Sequence, residues 1–537
     1  MYKRISVLFG IFMFLFCGMF FMIDYLSNKE NLRDVALNQQ SYNLKISDVR
    51  GNIYDCNNKL LVNKEKKLIA AVIPCTESLT ALTGVIEDSK REELYNKCSK
   101  NVPFTIEIIK PVKCQYVKIF EVPIRFSGIT LAPHIIGYLS GDKIGVCGIE
   151  REYNDYLSGK DHCICVKYDI NAAGKLLSGK KEFIKDKSYL NSKGIVLNID
   201  EKIQTIAEET ANKYIDRGAV IVSEVPNCEL RACASLPGFS PQNIVPYLND
   251  KNSPLLNRIL ASFNLGSIFK IITSASAIEY GIDSNFVYDC QGSNKVEDAT
   301  FKCYGGKKHG EINMEQAMAY SCNGYFVELI RKIPPDFILK MSKKFRLGHK
   351  IKITPEMISS GGVLPSLESL ENIKTLANFS FGQGKLMATP LQVIGIVNSV
   401  ASGGIYFNPK LIKGLCDENM KIVNKKIIRD ERERIISENT ANKLKDYMRA
   451  SVEYGTSLKG KSEFVTAGAK TSTAQTGIVE NNKKVEQSWI AGFFPFDKPK
   501  YCVVVLSEAG RGGGESCGPV FKEISERITT EILNGCA

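Results

Sequence analysis

Residues 264–275 read NLGSIFKIITSA, and this stretch decides how the rest of the chain is interpreted. Ser267 and Lys270 lie three residues apart, so on a helix they project from the same face and bring an amine within reach of a hydroxyl. Gly266 allows the chain to turn sharply before the helix begins. The unpaired backbone N–H groups of the first helical turn then face the serine oxygen. The pattern predicts a nucleophilic serine with a lysine as its base.

A lysine can accept the serine proton only when the amine is uncharged. Burial and a second nearby cation both favour the uncharged form. Serine and lysine are common residues, and the bare pattern S-x-x-K is expected by chance about once or twice in a chain of this length. Its interpretation therefore depends on motifs further along the chain.

The composition is that of a globular protein with room for two or three domains, since 44% of the 537 residues are hydrophobic and 24% are charged. The net charge of +12 is spread along the chain, and no zinc-knuckle, helix-turn-helix or aromatic-basic motif accompanies it. It favours an anionic surface, such as a membrane or a cell wall, over nucleic acid. The seventeen cysteines are irregularly spaced, and Cys163 and Cys165 are too close to bridge each other comfortably, so no disulfide framework is established.

The N-terminal segment predicts a membrane anchor. Residues 5–23 carry no charge, and at about 1.5 Å per residue they just span a hydrocarbon core of about 30 Å. Lys3 and Arg4 predict that residues 1–4 are cytoplasmic and that everything after Asp24 lies outside. No small-x-small site follows, which favours an uncleaved anchor over a cleaved signal peptide. We expect a single-pass protein of the cell membrane whose catalytic domain is extracytoplasmic.

Two regions follow the anchor. Residues 25–190 alternate short apolar runs with charged, turn-rich stretches and show no acid pair or metal-ligand spacing, which is typical of a mixed, non-catalytic spacer. A second domain is predicted from residue 194 to residue 537. The predicted elements are strands at 67–73, 104–109 and 194–199, a helix from the cap Asp200 to about Tyr214, a hairpin of strands at 218–223 and 230–235, strands at 468–475, 488–494 and 501–506, a glycine loop at 512–514 and a last helix near 520–533.

Three motifs follow one another in the second domain. Residues 267–270 read SIFK, residues 321–323 read SCN, and residues 470–473 read KTST on a predicted strand. In this order they resemble the S-x-x-K, S-x-N and K-T-G signature of the penicillin-binding proteins and serine β-lactamases. Each pattern is weak alone, but the ordered set is a strong indication of that family.

The resemblance extends over nearly the whole chain and is greatest to the class B, monofunctional penicillin-binding proteins, such as those of Gram-positive spore formers. Further residues that match the family pattern are 50–55 (RGNIYD), 150–153 (EREY) ahead of 157–159 (LSG), 257–258 (NR), 382–384 (GQG), 389–392 (TPLQ), 403–404 (GG) and 455–456 (GT). A pure β-lactamase would lack both the anchor and the spacer region.

The resemblance implies an α/β (α+β) fold. Its parts would be the transmembrane anchor at 5–23, a mixed pedestal domain at 25–190, and a transpeptidase domain at 194–537. The transpeptidase domain would contain a five-stranded antiparallel sheet flanked by helices, together with a helical lobe.

The resemblance also implies a role for each residue of the three motifs. Ser267 would attack the penultimate carbonyl of a D-Ala-D-Ala stem peptide, with Lys270 as the acylation base. Ser321 would pass the proton to the leaving D-alanine, and Asn323 would hold the amide of the acyl chain. Lys470 would supply positive charge to the substrate carboxylate and help keep Lys270 neutral.

The third motif would also line the substrate strand through Thr471 and Thr473, and the backbone N–H groups of Ser267 and Thr473 would form the oxyanion hole. One position departs from the family pattern, because Ser472 stands where the family usually has glycine. Glycine there lets the substrate backbone approach the strand closely. We expect the Ser472 side chain to narrow the site or to alter β-lactam selectivity without abolishing activity.

Four potential metal ligands lie between the first two motifs: Cys290, Cys303, His309 and Cys322, at intervening gaps of 12, 5 and 12 residues. Cysteine thiolates and a histidine imidazole are ligands that commonly bind zinc. Side-chain alternation would turn Cys322 away from the substrate. The spacing contains no tight C-x-x-C pair, so three alternatives stay open: structural zinc, a disulfide whose reduction activates the enzyme, and unlinked thiols. The acyl-transfer chemistry itself requires no cofactor.

The function implied by the resemblance is that of a membrane-anchored peptidoglycan D,D-transpeptidase. It would transfer its acyl group to an amine of a neighbouring stem peptide, in wall synthesis for division, elongation or sporulation, and β-lactams would acylate the same serine. No glycosyltransferase domain is visible before the pedestal, so a partner such as a SEDS-family glycosyltransferase would polymerise lipid II. The alternatives are a β-lactam-sensing receptor, which would need further membrane spans and a cytoplasmic effector, and a scaffold for a lipid-II glycosyltransferase.

Overall fold

The computed structural model describes residues 2–27, 41–158, 163–170, 183–185, 193–424, 431–480 and 483–534. The chain divides into two compact units, of which the first comprises residues 1–51, 63–125 and 158–191 and the second comprises residues 52–62, 126–157 and 192–537. The segments 52–62 and 126–157 fall within the expected pedestal range, yet they pack with the second unit. Residue 159 of the LSG pattern lies outside the described residues.

The described residues form helices and strands in the following order. They are α1 (Tyr2–Ser27), β1 (Ser41–Asp48), β2 (Asn52–Tyr54), β3 (Glu65–Val72), α2 (Thr76–Thr83), α3 (Arg91–Cys98), β4 (Phe104–Ile108), β5 (Val117–Ile124), α4 (Pro133–Ile136), α5 (Gly148–Glu152), α6 (Asn154–Ser158), β6 (Cys163–Asp169), β7 (Phe183–Lys185), β8 (Gly194–Leu197), α7 (Glu201–Tyr214), β9 (Gly218–Glu224), β10 (Glu229–Leu236), β11 (Phe263–Asn264), α8 (Lys270–Tyr280), β12 (Tyr288–Cys290), β13 (Ser293–Val296), β14 (Ala299–Lys302), β15 (Gly310–Ile312), α9 (Met314–Ala319), α10 (Asn323–Ile330), α11 (Pro335–Lys344), α12 (Leu367–Leu370), α13 (Ile373–Ser380), β16 (Met387–Ala388), α14 (Pro390–Ala401), β17 (Ile405–Phe407), β18 (Ile412–Cys416), β19 (Ile422–Asn424), β20 (Arg432–Arg434), α15 (Glu438–Glu453), β21 (Gly468–Glu480), β22 (Lys483–Phe494), β23 (Tyr501–Ser507) and α16 (Gly513–Ile528).

Helix α1 contains the predicted anchor and extends it at both ends. It runs from Tyr2 to Ser27, about 39 Å at the usual rise per residue, and none of its residues is buried. Within the described part of the chain it is the one helix long and apolar enough to cross a membrane.

In the first unit, β3 lies between β4 and β5 in an antiparallel sheet, and a second sheet has the order β1-β6-β7. Strand β4 alternates buried and partly exposed residues, so Phe104, Ile106 and Ile108 pack with Leu82 of α2 and Leu94 of α3. The strands predicted at 67–73 and 104–109 are confirmed within two residues at each end.

In the second unit, a five-stranded antiparallel sheet has the order β10-β9-β23-β22-β21. Successive residues of a strand point to opposite faces, and here both faces are buried. Ala219 and Ile221 of β9 belong to a core that includes residues of α8 and α14, whereas Val220 and Val222 belong to a core with α7 and α16. The sheet is therefore covered by helices on both sides, as a mixed α/β fold requires.

The helices at the two ends of this unit differ in how well they could be predicted. Asp200 caps α7 as expected, because its carboxylate accepts the N–H groups of Lys202 and Ile203 at 2.9 and 3.2 Å. The prediction for the last helix was wrong at its start, since α16 begins at Gly513 instead of near residue 520. A Cβ at Gly513 would lie 2.4 Å from the carbonyl oxygen of Ser472, so the glycines that predict a loop instead allow the first helical turn to approach β21.

Several residues of the wider family pattern hold loops and helix ends together. The Asp55 carboxylate accepts the backbone N–H groups of residues 57, 59 and 201. Thr389 and Gln392 form a reciprocal capping box at the start of α14. The guanidinium of Arg258 is buried and contacts Glu508 at 2.6 Å. These residues stabilise the frame on which the motifs lie.

Candidate active site

Ser267 lies at the junction of two kinds of helix. Residues Gly266–Phe269 form a 3₁₀ turn that continues directly into α8, which begins at Lys270. Gly266 has a φ of 58°, a left-handed conformation that glycine adopts without steric cost. The predicted helix is therefore confirmed, with a tighter first turn. Ser267 is partly exposed whereas Lys270 is completely buried.

The second motif surrounds the lysine amine. Lys270 Nζ donates to the backbone oxygen of Ser321 at 2.7 Å, to Ser321 Oγ at 3.0 Å and to Asn323 Oδ1 at 2.7 Å. Ser321 connects α9 to α10 and has a φ of 57°, a conformation that is costly for a residue with a side chain and that tends to occur at functional sites. The strained residue directs both of its oxygens at Lys270.

The two lysines of the first and third motifs are both buried amines. Burial lowers the pKa of Lys270 to about 7, against an opposing effect of negative charge on Cys322 and Cys303. Burial and the charge of Lys270 also lower the pKa of Lys470 well below its usual value, and Lys470 Nζ donates to the backbone oxygen of Thr471 at 2.9 Å. A pKa of about 7 lets Lys270 pass between the ammonium form, which can make all three donations to Ser321 and Asn323, and an uncharged form that can accept a proton, as general-base chemistry requires.

The third motif lies on β21, at the edge of the five-stranded sheet. Thr471 Oγ1 donates to Thr456 Oγ1 at 2.8 Å, and Thr473 Oγ1 accepts the N–H of Gly513 at 3.1 Å. Both threonines line a cavity of about 1010 Å³ together with the polar residues of the other motifs, which are Ser267, Ser321 and Asn323. The structure therefore brings the three sequence motifs to one site.

Much of the cavity wall comes from residues that the motifs did not indicate. The loop 302–306, Tyr320, Glu486 and Arg511 all line the cavity. The sequence offered two signals for such walls, which are the pair of glycines in 302–306 and the glycine run at the start of α16. The charged residues carry no local pattern that distinguishes them from other surface charges.

Ser472, the residue that departs from the family pattern, makes a contact that the sequence did not predict. Ser472 lines the cavity, but the residue is only 2% exposed and its hydroxyl donates to the backbone oxygen of Leu265 at 2.7 Å. The hydroxyl therefore points toward the serine turn, and an effect of Ser472 on β-lactam selectivity stays a prediction. Its contact is with the backbone that precedes the nucleophile.

The four potential metal ligands form a compact cluster. Sγ of Cys290 lies 3.7 Å from Sγ of Cys303, 3.3 Å from Sγ of Cys322 and 3.3 Å from Nδ1 of His309, and the Cys303–Cys322 separation is 3.7 Å. These sulfur separations are far longer than the roughly 2.05 Å of a disulfide bond, and all cysteines among the described residues are free. Hydrogen bonds from Cys322, Cys290 and nearby backbone amides lower the pKa of Cys303.

The cluster lies directly behind the second motif. Cys322 is completely buried between Ser321 and Asn323, and its Sγ accepts the N–H of Tyr325 as the N-cap of α10. The expectation that Cys322 faces away from the cavity is met, although the cause is its helix-cap position and not strand alternation. Asn323 Nδ2 also donates to the oxygen of Lys302 at 2.9 Å, which connects the cluster region to the cavity wall.

Comparison with known sequences identifies one family over more than half of the chain. Residues 218–526 match the penicillin binding protein transpeptidase domain. The chain is 28% identical to stage V sporulation protein D of Bacillus subtilis, over 98% of this chain and 85% of that protein. It is 26% identical to the peptidoglycan D,D-transpeptidase PbpA of Mycolicibacterium smegmatis, over 74% of this chain and 80% of that protein.

Solved structures with the same fold include two penicillin-binding proteins. PBP2 of Helicobacter pylori has a TM-score of 0.68 at 22% identity and covers 91% of this chain and 99% of its own. PBP3 of Mycobacterium tuberculosis in complex with aztreonam has a TM-score of 0.66 at 20% identity and covers 91% of this chain and 97% of its own. At these identities the likeness concerns the fold alone.

Proposed function

The chain belongs to the penicillin-binding protein transpeptidase family, and from this premise we propose that it is a membrane-anchored peptidoglycan D,D-transpeptidase. It cross-links stem peptides through an acyl-serine intermediate. The observation that carries the proposal is the contact of the buried Lys270 amine with Ser321 and Asn323, beside a cavity that Ser267 lines.

Acylation begins when the uncharged Lys270 amine accepts the proton of Ser267. The serine oxygen then bonds to the penultimate carbonyl carbon of a D-Ala-D-Ala stem peptide, and the negative charge on the carbonyl oxygen is stabilised by the N–H groups of Ser267 and Thr473. The C–N bond to the terminal D-alanine breaks, and its nitrogen receives the proton from Lys270 through Ser321. An amine of a second stem peptide then attacks the ester, and its proton returns to the Ser267 oxygen.

Lys470 attracts the substrate carboxylate electrostatically when its amine is protonated. Its amine is fully buried, so direct contacts with the carboxylate fall to the hydroxyls of Thr471 and Thr473 at the cavity surface. A bound anion favours the charged form of a nearby amine, so we expect Lys470 to become protonated when substrate binds. The same site accepts β-lactams, which acylate Ser267 and remain attached.

The remaining proposals concern the surroundings of the enzyme. Helix α1 anchors the chain in the cell membrane, with residues 1–4 in the cytoplasm and the chain beyond Asp24 outside. The partner that polymerises lipid II is a SEDS-family glycosyltransferase, a proposal that rests on the resemblance to class B proteins. A receptor role is not favoured, because the relatives are named as transpeptidases. A scaffold role alone would not explain the contacts of the buried Lys270 amine with Ser321 and Asn323.

The enzyme assay uses the full-length protein in detergent with a thioester analogue of an acyl-D-alanine donor and free D-alanine as acceptor. We expect the wild-type protein to form the acyl-D-alanine product and the Ser267→Ala variant to form none above the uncatalysed rate. Equal thermal unfolding of the two proteins controls for folding. A wild-type protein that hydrolyses the thioester but never transfers to the amine would contradict the transpeptidase assignment.

We also propose that Cys290, Cys303, His309 and Cys322 hold a structural zinc ion. Ligand atoms at the corners of a zinc tetrahedron lie about 3.4 to 3.8 Å apart, given Zn–S distances of about 2.3 Å and Zn–N distances of about 2.0 Å. The two sulfur–sulfur separations of 3.7 Å agree with this spacing. The Cys290–Cys322 and Cys290–His309 separations of 3.3 Å are slightly shorter, so a small movement of these side chains would accommodate the ion. A bound ion would fix the segment that carries Ser321 and Asn323 without taking part in acyl transfer.

Metal analysis of protein purified under reducing conditions tests this site. We expect about one zinc per chain in the wild type, loss of most of it in Cys303→Ser, and a lower unfolding temperature for that variant because bound metal contributes folding free energy. Cys233→Ser, which changes another buried free cysteine, should keep its zinc. Wild-type protein without metal, or with a bond between two cluster cysteines in mass spectra, would rule out the zinc site.

A further inference from the structure

The turn before Ser267 is tied to the sheet by a pair of side-chain hydrogen bonds. Ser472 Oγ donates to the backbone oxygen of Leu265 at 2.7 Å, and Trp489 Nε1 donates to the backbone oxygen of Asn264 at 2.9 Å. Ser472 and Trp489 are directly paired across β21 and β22. Two adjacent carbonyl groups of the turn are therefore held by two adjacent residues of the sheet.

The side chain and the amide of Asn264 add two further connections. Asn264 Nδ2 donates to the backbone oxygen of Gln475 at 2.8 Å, and the Asn264 N–H donates to Gln487 Oε1 at 2.6 Å. Among these four hydrogen bonds, the one from Ser472 to Leu265 joins the two residues that lie nearest in sequence to Thr473 and Ser267. Leu265 lies two residues before Ser267, and Ser472 immediately precedes Thr473.

The fit between Ser472 and the turn leaves no room for a side chain at Gly266. A Cβ at Gly266 would lie 2.4 Å from Ser472 Oγ and 3.1 Å from the Cβ of Ala474. The hydroxyl at 472 thus occupies the space that the absent side chain of Gly266 leaves open. A glycine at 472, which is the usual residue in this family, has no group that could make the contact with Leu265.

We propose that Ser472 is a positioning residue for the oxyanion hole. Its hydrogen bond to Leu265 sets the spacing between the serine turn and β21, and hence the spacing between the N–H groups of Ser267 and Thr473. This inference rests on the proposed function, which uses those two groups to stabilise the transition state. Preorganised donors at an oxyanion contribute strongly to the rate, and the contribution depends on their distance.

The expected effect of losing the hydroxyl is on the rate of acylation and not on initial binding. Ser472 lines the cavity but is only 2% exposed, and its hydroxyl is already bonded to the backbone oxygen of Leu265, so we expect its side chain to contribute little to ligand binding. We expect Ser472→Ala and Ser472→Gly to lower the acylation rate constant by about tenfold, less than the hundredfold or more seen when an oxyanion donor is removed outright. The dissociation constant of the non-covalent penicillin complex should stay within about twofold.

The experiment measures both constants for the full-length protein by stopped-flow kinetics with a fluorescent penicillin. It also records the infrared stretch of the ester carbonyl in the acyl-enzyme, which weaker hydrogen bonds should move to higher frequency in both Ser472 variants. Trp489 is the single tryptophan of the chain and donates to the same turn, so its emission should change as well. Ser399→Ala removes a buried hydroxyl bond of equal length in α14 and serves as the matched control.

Unchanged acylation rates and an unchanged carbonyl frequency in both Ser472 variants would overturn the inference. So would a loss of rate that Ser399→Ala reproduces at equal loss of thermal stability, because the effect would then reflect general destabilisation. Either result would leave the proposed function intact, provided the wild type is acylated at Ser267. A wild type that is not acylated at Ser267 would overturn both.

Discussion

Replacing Lys270 by methionine should slow acylation by penicillin by about three to four orders of magnitude. The amine is completely buried and donates to two oxygens of Ser321 and to one of Asn323. Methionine has a similar volume but cannot accept a proton, and the loss of a general base typically costs 10²–10⁴-fold in rate, more when it also activates a nucleophile. The measurement is the rate of adduct formation at saturating penicillin.

The pH dependence of the same reaction gives a second signature of Lys270. Its pKa is lowered to about 7, and only the uncharged amine can accept the serine proton. The wild-type rate should therefore rise about tenfold per pH unit below 6 and level off above about pH 8. The residual acylation rate of Lys270→Met should not increase with pH over this range. Lys340→Met on α11, where the lysine is exposed, should behave like the wild type. A Lys270→Met rate within tenfold of the wild type would contradict the assignment of Lys270 as base.

Replacing Gly266 by alanine should lower the acylation rate by about a hundredfold and the free energy of unfolding by about 2 to 3 kcal/mol. The φ of 58° alone costs a residue with a side chain about 1–2 kcal/mol. The remaining loss comes from the overlap of the new Cβ with Ser472 Oγ, at 2.4 Å. Relief of that overlap requires the serine turn to move away from β21, which separates the two N–H groups of the oxyanion hole. Urea unfolding and penicillin acylation measure the two effects.

The structure provides a matched control for this change. Gly281 ends α8 with a φ of 93°, and a Cβ there would meet no atom within 4 Å, so Gly281→Ala incurs a conformational cost without an overlap. It should lose stability and keep its acylation rate. The double variant Gly266→Ala/Ser472→Gly removes the overlapping hydroxyl and should be more stable than Gly266→Ala alone, a non-additivity expected of residues in contact. If Gly266→Ala is acylated as fast as Gly281→Ala, the close fit of the turn does not matter for catalysis.

The parts of the fold that follow local patterns were predictable. The cap at Asp200 and the apolar runs of β9 and β23 each depend on a few neighbouring residues, and the structure has them within a few positions. The parts that depend on distant partners were not. Strand β2 pairs in parallel with β8, and nothing in the local sequence indicates that this short segment joins the second unit.

The candidate site shows the same division. The order of the three motifs could be read from the sequence, but the orientation of their side chains could not. Ser472 contacts Leu265 because of the face that β21 presents to the serine turn, and Ser321 reaches Lys270 with both oxygens because its backbone is left-handed. Burial, which lowers the pKa of Lys270, is a property of the assembled lobe and sheet. The sequence therefore indicated which residues meet, and the structure determines how.

In the proposed mechanism Ser267 is the nucleophile that becomes acylated. The most direct test of this role is mass spectrometry of the folded full-length protein after incubation with penicillin, followed by peptide mapping. We expect one penicillin mass added per chain, located on the peptide that contains Ser267, and no addition to the Ser267→Ala variant. An intact mass that does not change, or an adduct mapped to any other side chain, would contradict the proposed mechanism.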